Sequence, residues 1–564
     1  MRRAALLLWG LLAGGALAPC CSAAQATAAG GLPGHAGVAT AHPAATAAGL
    51  EVLREGGNAF DAAVAISAAL AVVEPTGSGL TGGGIYLLHR QSDGFEVAID
   101  AREKAPGAAT RDMYLDASGN PVPGLSTQSA LAAGIPGEPA GLALLAARYG
   151  KLPVAKSLAP AIRLARKGFP LSPRLHDALV AMRDKFAATP AVAKNFLRKG
   201  AVPPLGTVIT QPELARTLQW LADHGLASFY SGAMATRLVD AIRAQGGIWT
   251  EADLAAYQAQ ERAPIVGHFH GARIVSAPPP SSGGIALVEA LNILSQFDLQ
   301  HADSAERKHL LIEAERRALR DRAVYLGDPD FVSIPQALLT SPDYAAGLAA
   351  SIRTDRATPS ASLPGVGAGA AQGPQTTHFS VIDRDGNRVA ATITLNFAFG
   401  SGRMLGDTGL FLNDEMDDFS VKPGVPNGYG LVGAAANAIA PNKRMLSSVT
   451  PTFVDTADRT LVVGSPGGSL ITGMVLLATL NFLDGESAQQ IVSAPRIHNQ
   501  YLPDELRYEP GALSADEISA LTARGQHLVQ TPRWGNMQAV IWNRAQGTVE
   551  AASDPRGDGS GQVQ

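Results

Sequence analysis

A threonine that opens a strand directly after an Ala/Gly-rich stretch can do chemistry that few residues can. This chain has one at Gln375-Thr376-Thr377-His378. A hydroxyl is a weak nucleophile unless a base sits within hydrogen-bond reach. An N-terminal threonine carries its own base, because a free α-amino group titrates near about 7.7–8. Cutting the chain before Thr376 would place nucleophile and base on one residue at the rigid head of a strand. Taken alone, the junction reads better as an ordinary linker feeding an ordinary strand.

Its neighbours shift that balance. On the return strand Thr392, Thr394 and Asn396 share one face by the two-residue period, and Ile393 and Leu395 take the other. Asn413-Asp414-Glu415-Met416-Asp417-Asp418-Phe419 gathers four acids, and Ser447-Ser448 precedes a second hairpin. Gly464-Ser465-Pro466-Gly467-Gly468 lies between a strand and a helix N-terminus, where backbone N–H groups can hold a developing oxyanion. Singly, the acids read as a solvated loop and the glycines as a tight turn. Together they supply a nucleophile, an ammonium acceptor and an anion stabiliser.

Competing motifs fail on context. Gly77-Ser78-Gly79-Leu80-Thr81-Gly82 matches GxGxxG, but a helix precedes it and a strand follows, the reverse of a dinucleotide fingerprint. His268 and His270 share a strand face without a third ligand, which reads as a solvated face and not as a metal site. There is no HExxH, GxSxG or P-loop, and Arg556-Gly557-Asp558 reads as accidental in a polar C-terminal tail. No cofactor is implied.

The elements that must position these residues show in the patterning. Two helices between Thr46 and Val73 are split by Gly56-Gly57-Asn58, with Asn58 as N-cap of the second, and strands follow at 85–90 and 96–101. From Pro139 to Ser351 the chain is mostly amphipathic helix, clearest at 212–224, 233–245, 284–296 and 304–325. Residues 354–375 read as a flexible linker rich in Ala, Gly, Pro and Ser. A hairpin follows, 376–382 and 388–395 around Asp383-Arg384-Asp385-Gly386-Asn387, then a second at 451–454 and 460–464. A helix spans 469–483, and late strands fall at 539–543 and 549–552. Strands near both ends with a long helical middle predict α+β sheets sandwiched between helices.

With Lys+Arg 45 against Asp+Glu 49, no basic excess exists to neutralise a nucleic acid backbone. Both cysteines, Cys20 and Cys21, lie in an N-terminal segment where Arg2-Arg3 is followed by an apolar run from Ala4 to Ala18 and small residues ending near Ala24 or Ala26. This is the pattern of a cleaved secretory leader over residues 1–24, so the working protein would be periplasmic or secreted and cysteine-free. Leu17-Ala18-Pro19-Cys20 is a poor lipoprotein-type box, with a proline disfavoured at that place. No other run of roughly 20 residues is apolar enough to span a membrane.

The segments around Thr376, Asp418, Pro441-Asn442-Lys443-Arg444 with Ser447-Ser448, and Gly464–Gly468 resemble the γ-glutamyltranspeptidases of the N-terminal-nucleophile hydrolase superfamily. The resemblance continues in Glu55–Ala59, Arg102-Glu103, Pro278–Gly284, Tyr325–Pro329 and Ala552–Arg556, over nearly the whole mature chain. It implies a four-layer αββα sandwich and autocatalytic cleavage between Gln375 and Thr376. The products would be a large subunit, 25–375, and a small catalytic one, 376–564, held without a covalent tie. Thr376 would attack γ-glutamyl amides such as glutathione to form a γ-glutamyl ester, then pass the acyl group to water, an amino acid or a peptide. Thr394 would orient its hydroxyl, and Gly467 and Gly468 would supply the oxyanion N–H groups. Arg102, Ser447 and Ser448 would bind the α-carboxylate, and Asp418, Asn396 and Glu415 the α-ammonium. Pro423–Gly433, with Tyr429, resembles the lid loop of some bacterial members.

Asn396-Phe397-Ala398-Phe399-Gly400 departs from the Asn-Thr-Thr-Phe-Gly common in the family, which bears on the acceptor side or the maturation rate. Two alternatives stand beside the main reading. A cephalosporin (glutaryl) acylase shares the fold, but its acyl group lacks the ammonium that Asp418 would hold. An inactive binding protein for glutamyl compounds would need no threonine after the linker.

Overall fold

The computed structural model describes residues 31–365 and 376–564. The expected leader with Cys20 and Cys21, and the last part of the expected linker with Gln375, lie outside the described residues. In chain order, the strands of the two large sheets begin with β1 (Gly37–Thr40), β2 (Gly83–Arg90), β3 (Phe95–Asp100), β4 (Gln260–Arg262), β5 (Ile265–Phe269) and β6 (Ala272–Ser276). They continue with β7 (Thr377–Ile382), β8 (Arg388–Thr394), β9 (Thr452–Asp455), β10 (Arg459–Gly464), β11 (Gln538–Asn543), β12 (Thr548–Ser553) and β13 (Ser560–Val563).

One sheet runs β13-β1-β7-β8-β2-β3-β4 and the other β12-β11-β10-β9-β6-β5, every neighbour antiparallel. Alternation decides which layer each side chain feeds. Tyr86, Leu88, Phe379, Val381 and Val389 pack with α1 (Pro43–Arg54) and α2 (Ala59–Val73). Ile85, Leu87 and Ala390 turn the other way and share a core with Phe453, Val462 and Val540 of the second sheet. Beyond that sheet lie α3 (Gly283–Leu294), α4 (Ser304–Tyr325) and α5 (Ile471–Leu483). The result is the expected αββα sandwich. Much of the helical middle, including the expected helix at Pro212–His224, builds on the α1–α2 side.

All fifteen residues of α2 are buried, because its alanine-rich surface is apolar all round and is covered on every side. Its one charge goes to the cap. Asn58 accepts from the N–H groups of Phe60 and Asp61, and Asp61 accepts from the N–H of Asn58. Asn58 Nδ2 also donates to the Tyr149 carbonyl at 2.8 Å. Asn58→Ala removes both links, so a loss of about 1–2 kcal/mol is expected, read as a lower urea midpoint. An unchanged midpoint would show that the cap is dispensable.

The polar C-terminal tail ends as β13, paired along its length with β1, and Arg556 bonds the carboxylates of Glu509 and Asp554. Its polar sequence offers no apolar alternation to mark this edge strand. The expected flexible linker starts too early. Thr358 N–H donates to Glu313, Ser360 N–H to Asp504, and Arg316 to the Ser360 hydroxyl, which ties the chain down through that point. His268 is exposed on β5 as expected, while His270 falls in the following turn. No helix among the described residues is long and apolar enough to cross a membrane.

Candidate active site

Thr376 stands at the head of β7, and pairing of Thr377 with Ile393 sets it beside the end of β8. Its Oγ1 lies 3.5 Å from Thr394 Oγ1, on the face expected from the alternation. Thr394 Oγ1 also accepts from the Asn396 N–H at 2.7 Å, which curls the strand end as Asn396 enters the left-handed region at φ 79°. Asparagine tolerates that region better than other residues with a side chain.

Thr376 and Thr394 open on a narrow recess. Arg102, Asn396, Asp418 and Tyr429 line it, as do Ser447, Ser448 and Gly468. Two expected residues stand behind this lining. Glu415 is fully buried against Arg102, and Gly467 precedes Gly468 in a turn where both have positive φ.

The structure joins groups that were expected to serve opposite ends of a substrate. Arg102 Nη1 donates to Glu415 at 2.5 Å and its Nη2 to Asp418, while Glu103 lies 3.4 Å from Nη1. Burial pushes the Glu415 and Asp418 carboxyls up, and the Arg102 guanidinium opposes this. Burial also works against the Arg102 cation, but these acids outweigh it and raise its pKa. Mutual pairing offsets much of the cost of holding these charges away from water.

The GxGxxG run, set between a helix and a strand, crosses the ends of both site strands. A Cβ on Gly77 would lie 2.9 Å from the Thr376 carbonyl oxygen, and one on Gly82 would overlap that of Thr394. Glycine is required for this backbone approach.

Tyr429, expected on a lid loop, donates from its hydroxyl to the Asn396 carbonyl at 2.7 Å. Its ring stacks on Phe397 with centroids 4.5 Å apart and planes 17° apart. The departure noted at Phe397 is therefore the surface on which Tyr429 rests. Asp417 holds the same loop, accepting from Gly428 N–H at 2.8 Å and from the Ser126 hydroxyl at 2.7 Å.

Sequence reasoning missed Arg322. It lies on α4, donating to Ser448 Oγ at 3.2 Å and to Ser282 Oγ at 3.1 Å. Its helix is rich in charged residues, and Arg316, Arg317 and Asp321 are buried on it as well, so no local signal singles Arg322 out. Asp417 was seen only as one acid among four, and Phe397 only as a departure.

An antiparallel sheet with a threonine at the head of a central strand, facing a second sheet and covered by helices, defines the N-terminal-nucleophile hydrolase class. The gamma-glutamyltranspeptidase family model matches residues 45–563, and the chain belongs to that family. It is 45% identical over 524 residues to the glutathione hydrolase proenzyme of Escherichia coli K12, covering 92% of this chain and 90% of that one. Among solved structures, the cephalosporin acylase of Bacillus halodurans superposes with a TM-score of 0.81 at 28% identity, over 94% and 96% of the two chains. The γ-glutamyltranspeptidase of Helicobacter pylori superposes with a TM-score of 0.56 at 40% identity, over 57% of this chain and 93% of that one.

Proposed function

We propose that this chain is an exported proenzyme that cleaves itself before Thr376 and then hydrolyses or transfers the γ-glutamyl group of glutathione and related amides. One observation carries the reading: the Thr376 hydroxyl shares a small recess with a buried cation, Arg102, and a largely buried acid, Asp418. An α-amino acid brings the same two charges in zwitterionic form. Its carboxylate can take Arg102 and its ammonium Asp418, so the buried pair is replaced by two pairs and no charge is stranded.

Maturation would begin with Thr376 Oγ attacking the Gln375 carbonyl carbon. The C–N bond breaks as a C–O ester forms, which frees the α-amine, and water then hydrolyses the ester to release the Gln375 carboxylate and restore the hydroxyl. In turnover that amine takes the hydroxyl proton as Oγ attacks the γ-carbonyl. Thr394 orients the hydroxyl, and the N–H groups of Gly467 and Gly468 meet the oxyanion. The proton passes to the leaving amine, and water or an amine acceptor then resolves the γ-glutamyl ester. Residues 25–375 and 376–564 would remain together as two subunits.

The recess separates this reading from the glutaryl acylase. A glutaryl group would set a methylene against Asp418 and leave that acid without the ammonium. Purified protein should release aniline from a γ-glutamyl anilide at least about a hundredfold faster, in kcat/KM, than from a glutaryl anilide, given the cost of stranding a buried charge. Equal rates would remove the γ-glutamyl assignment, and no release from either would remove the enzymatic one.

A further inference from the structure

Both serines that line the recess are held as acceptors by groups that can only donate. Ser447 Oγ accepts from the Val449 N–H at 3.3 Å, and Ser448 Oγ accepts from Arg322 Nη2 at 3.2 Å. A hydroxyl that accepts from a fixed donor keeps its own proton for another partner. With Arg322 behind it, the Ser448 proton is therefore free to turn into the recess. Arg322 itself is only 5% exposed and does not line the recess. Its Nε donates to Ser282 Oγ at 3.1 Å, which fixes the plane of the guanidinium.

The charges differ as well. Arg102 is matched by Glu415, Asp418 and Glu103. Arg322 forms no ion pair with any described residue, and the only acid whose field reaches it is Asp418, across the recess wall. Burial without a paired acid pulls its pKa down to about 10. A buried cation in this condition is stabilised by any anion that arrives nearby. The anion that fits is one that Ser447 and Ser448 can both bond.

We propose that Arg322 is a positioning residue for the α-carboxylate of the donor. It fixes the Ser448 hydroxyl as a donor into the recess and adds, from behind the serines, a second positive charge to that of Arg102. This rests on the γ-glutamyl reading above and adds a specificity determinant to it. The recess would then select donors that carry a carboxylate on the α-carbon against donors with the ammonium alone.

Two anilides isolate that claim: γ-glutamyl, and 4-aminobutyryl, which keeps the amine and the scissile amide but lacks the α-carboxylate. Rates are normalised to the fraction of chain cut before Thr376. In Arg322→Gln the wild-type preference for the γ-glutamyl donor, as a ratio of kcat/KM values, is expected to fall at least about tenfold, the scale of a lost charged hydrogen bond. The fall should come through KM. Ser448→Ala should lower the same ratio, and the double variant should lose less than the two single losses combined, because Arg322 acts through Ser448. A merely structural defect would slow both donors alike and leave the ratio unmoved, which would overturn the proposal. If the glutamine variant does not fold, Arg322→Lys keeps the charge and can serve only one of the two serines well. A partial fall in its ratio supports the proposal, and an unchanged ratio overturns it. Failure of wild type to cleave the γ-glutamyl anilide would instead defeat the functional reading itself.

Discussion

Thr376→Ala is expected to yield a single uncut chain without γ-glutamyl activity. Both losses have one cause. The hydroxyl that attacks the Gln375 carbonyl in maturation is the one that attacks the substrate in turnover. Without it no ester forms in either reaction, and the α-amine that would serve as base is never released. Removing a nucleophile that works as a unit with its base costs on the order of 10⁴-fold or more in kcat. Denaturing gel electrophoresis reads the first effect and anilide release the second. The packing at this position is modest, since Thr376 is 4% exposed and loses only a methyl-sized group and a hydroxyl, so the variant should still fold. A cut chain in Thr376→Ala, or an uncut wild type with full activity, would sink the maturation scheme. Thr376→Ser keeps the hydroxyl and should still cut itself, more slowly for want of the methyl group that restricts the rotamer.

Asp418→Asn is expected to cost about 10²–10³-fold in kcat/KM for γ-glutamyl donors, the scale of breaking a buried charge pair from one side. The amide is nearly isosteric, so the recess keeps its shape while the ammonium loses its counter-charge. Arg102 loses one of its partners in the same step, because its Nη2 is bonded to Asp418. The decisive readout is the donor preference. Relative to wild type, glutaryl anilide should gain on γ-glutamyl anilide by a similar factor, since it has no ammonium to lose. If both donors fell equally, Asp418 would be a folding residue and not the ammonium acceptor.

Much of the site was legible because chemistry and local pattern coincide there. Thr376, Thr394 and Asn396 follow from one linker, one Asp-Gly turn and a period of two, and each lies where that pattern sets it. Asp418 and the serine pair stand in segments with strong family character, and both line the recess. What escaped has no local mark. Arg322 is a charged residue in a highly charged helix, and only its packing behind Ser448 separates it from its neighbours. Gly77 and Gly82 matched a familiar pattern with the wrong meaning, because the strand ends they cross are about 300 residues away in sequence, where only close backbone packing calls for glycine.

By itself the sequence determined that the nucleophile is not a cysteine and that a break before Thr376 leaves no disulfide to join the pieces. How two such pieces would hold together belongs to the tertiary structure alone. From the part before the break, β1 sits between β13 and β7 of the part after it, and β2 pairs with β8. In the second sheet β6 pairs with β9 across the same divide. Each part completes the other's main-chain hydrogen bonding, and separating them would expose unpaired N–H and C=O groups along several buried strands. Alternation within a strand shows which face is apolar, but the choice of neighbouring strand depends on residues hundreds of positions away, and only folding brings those together.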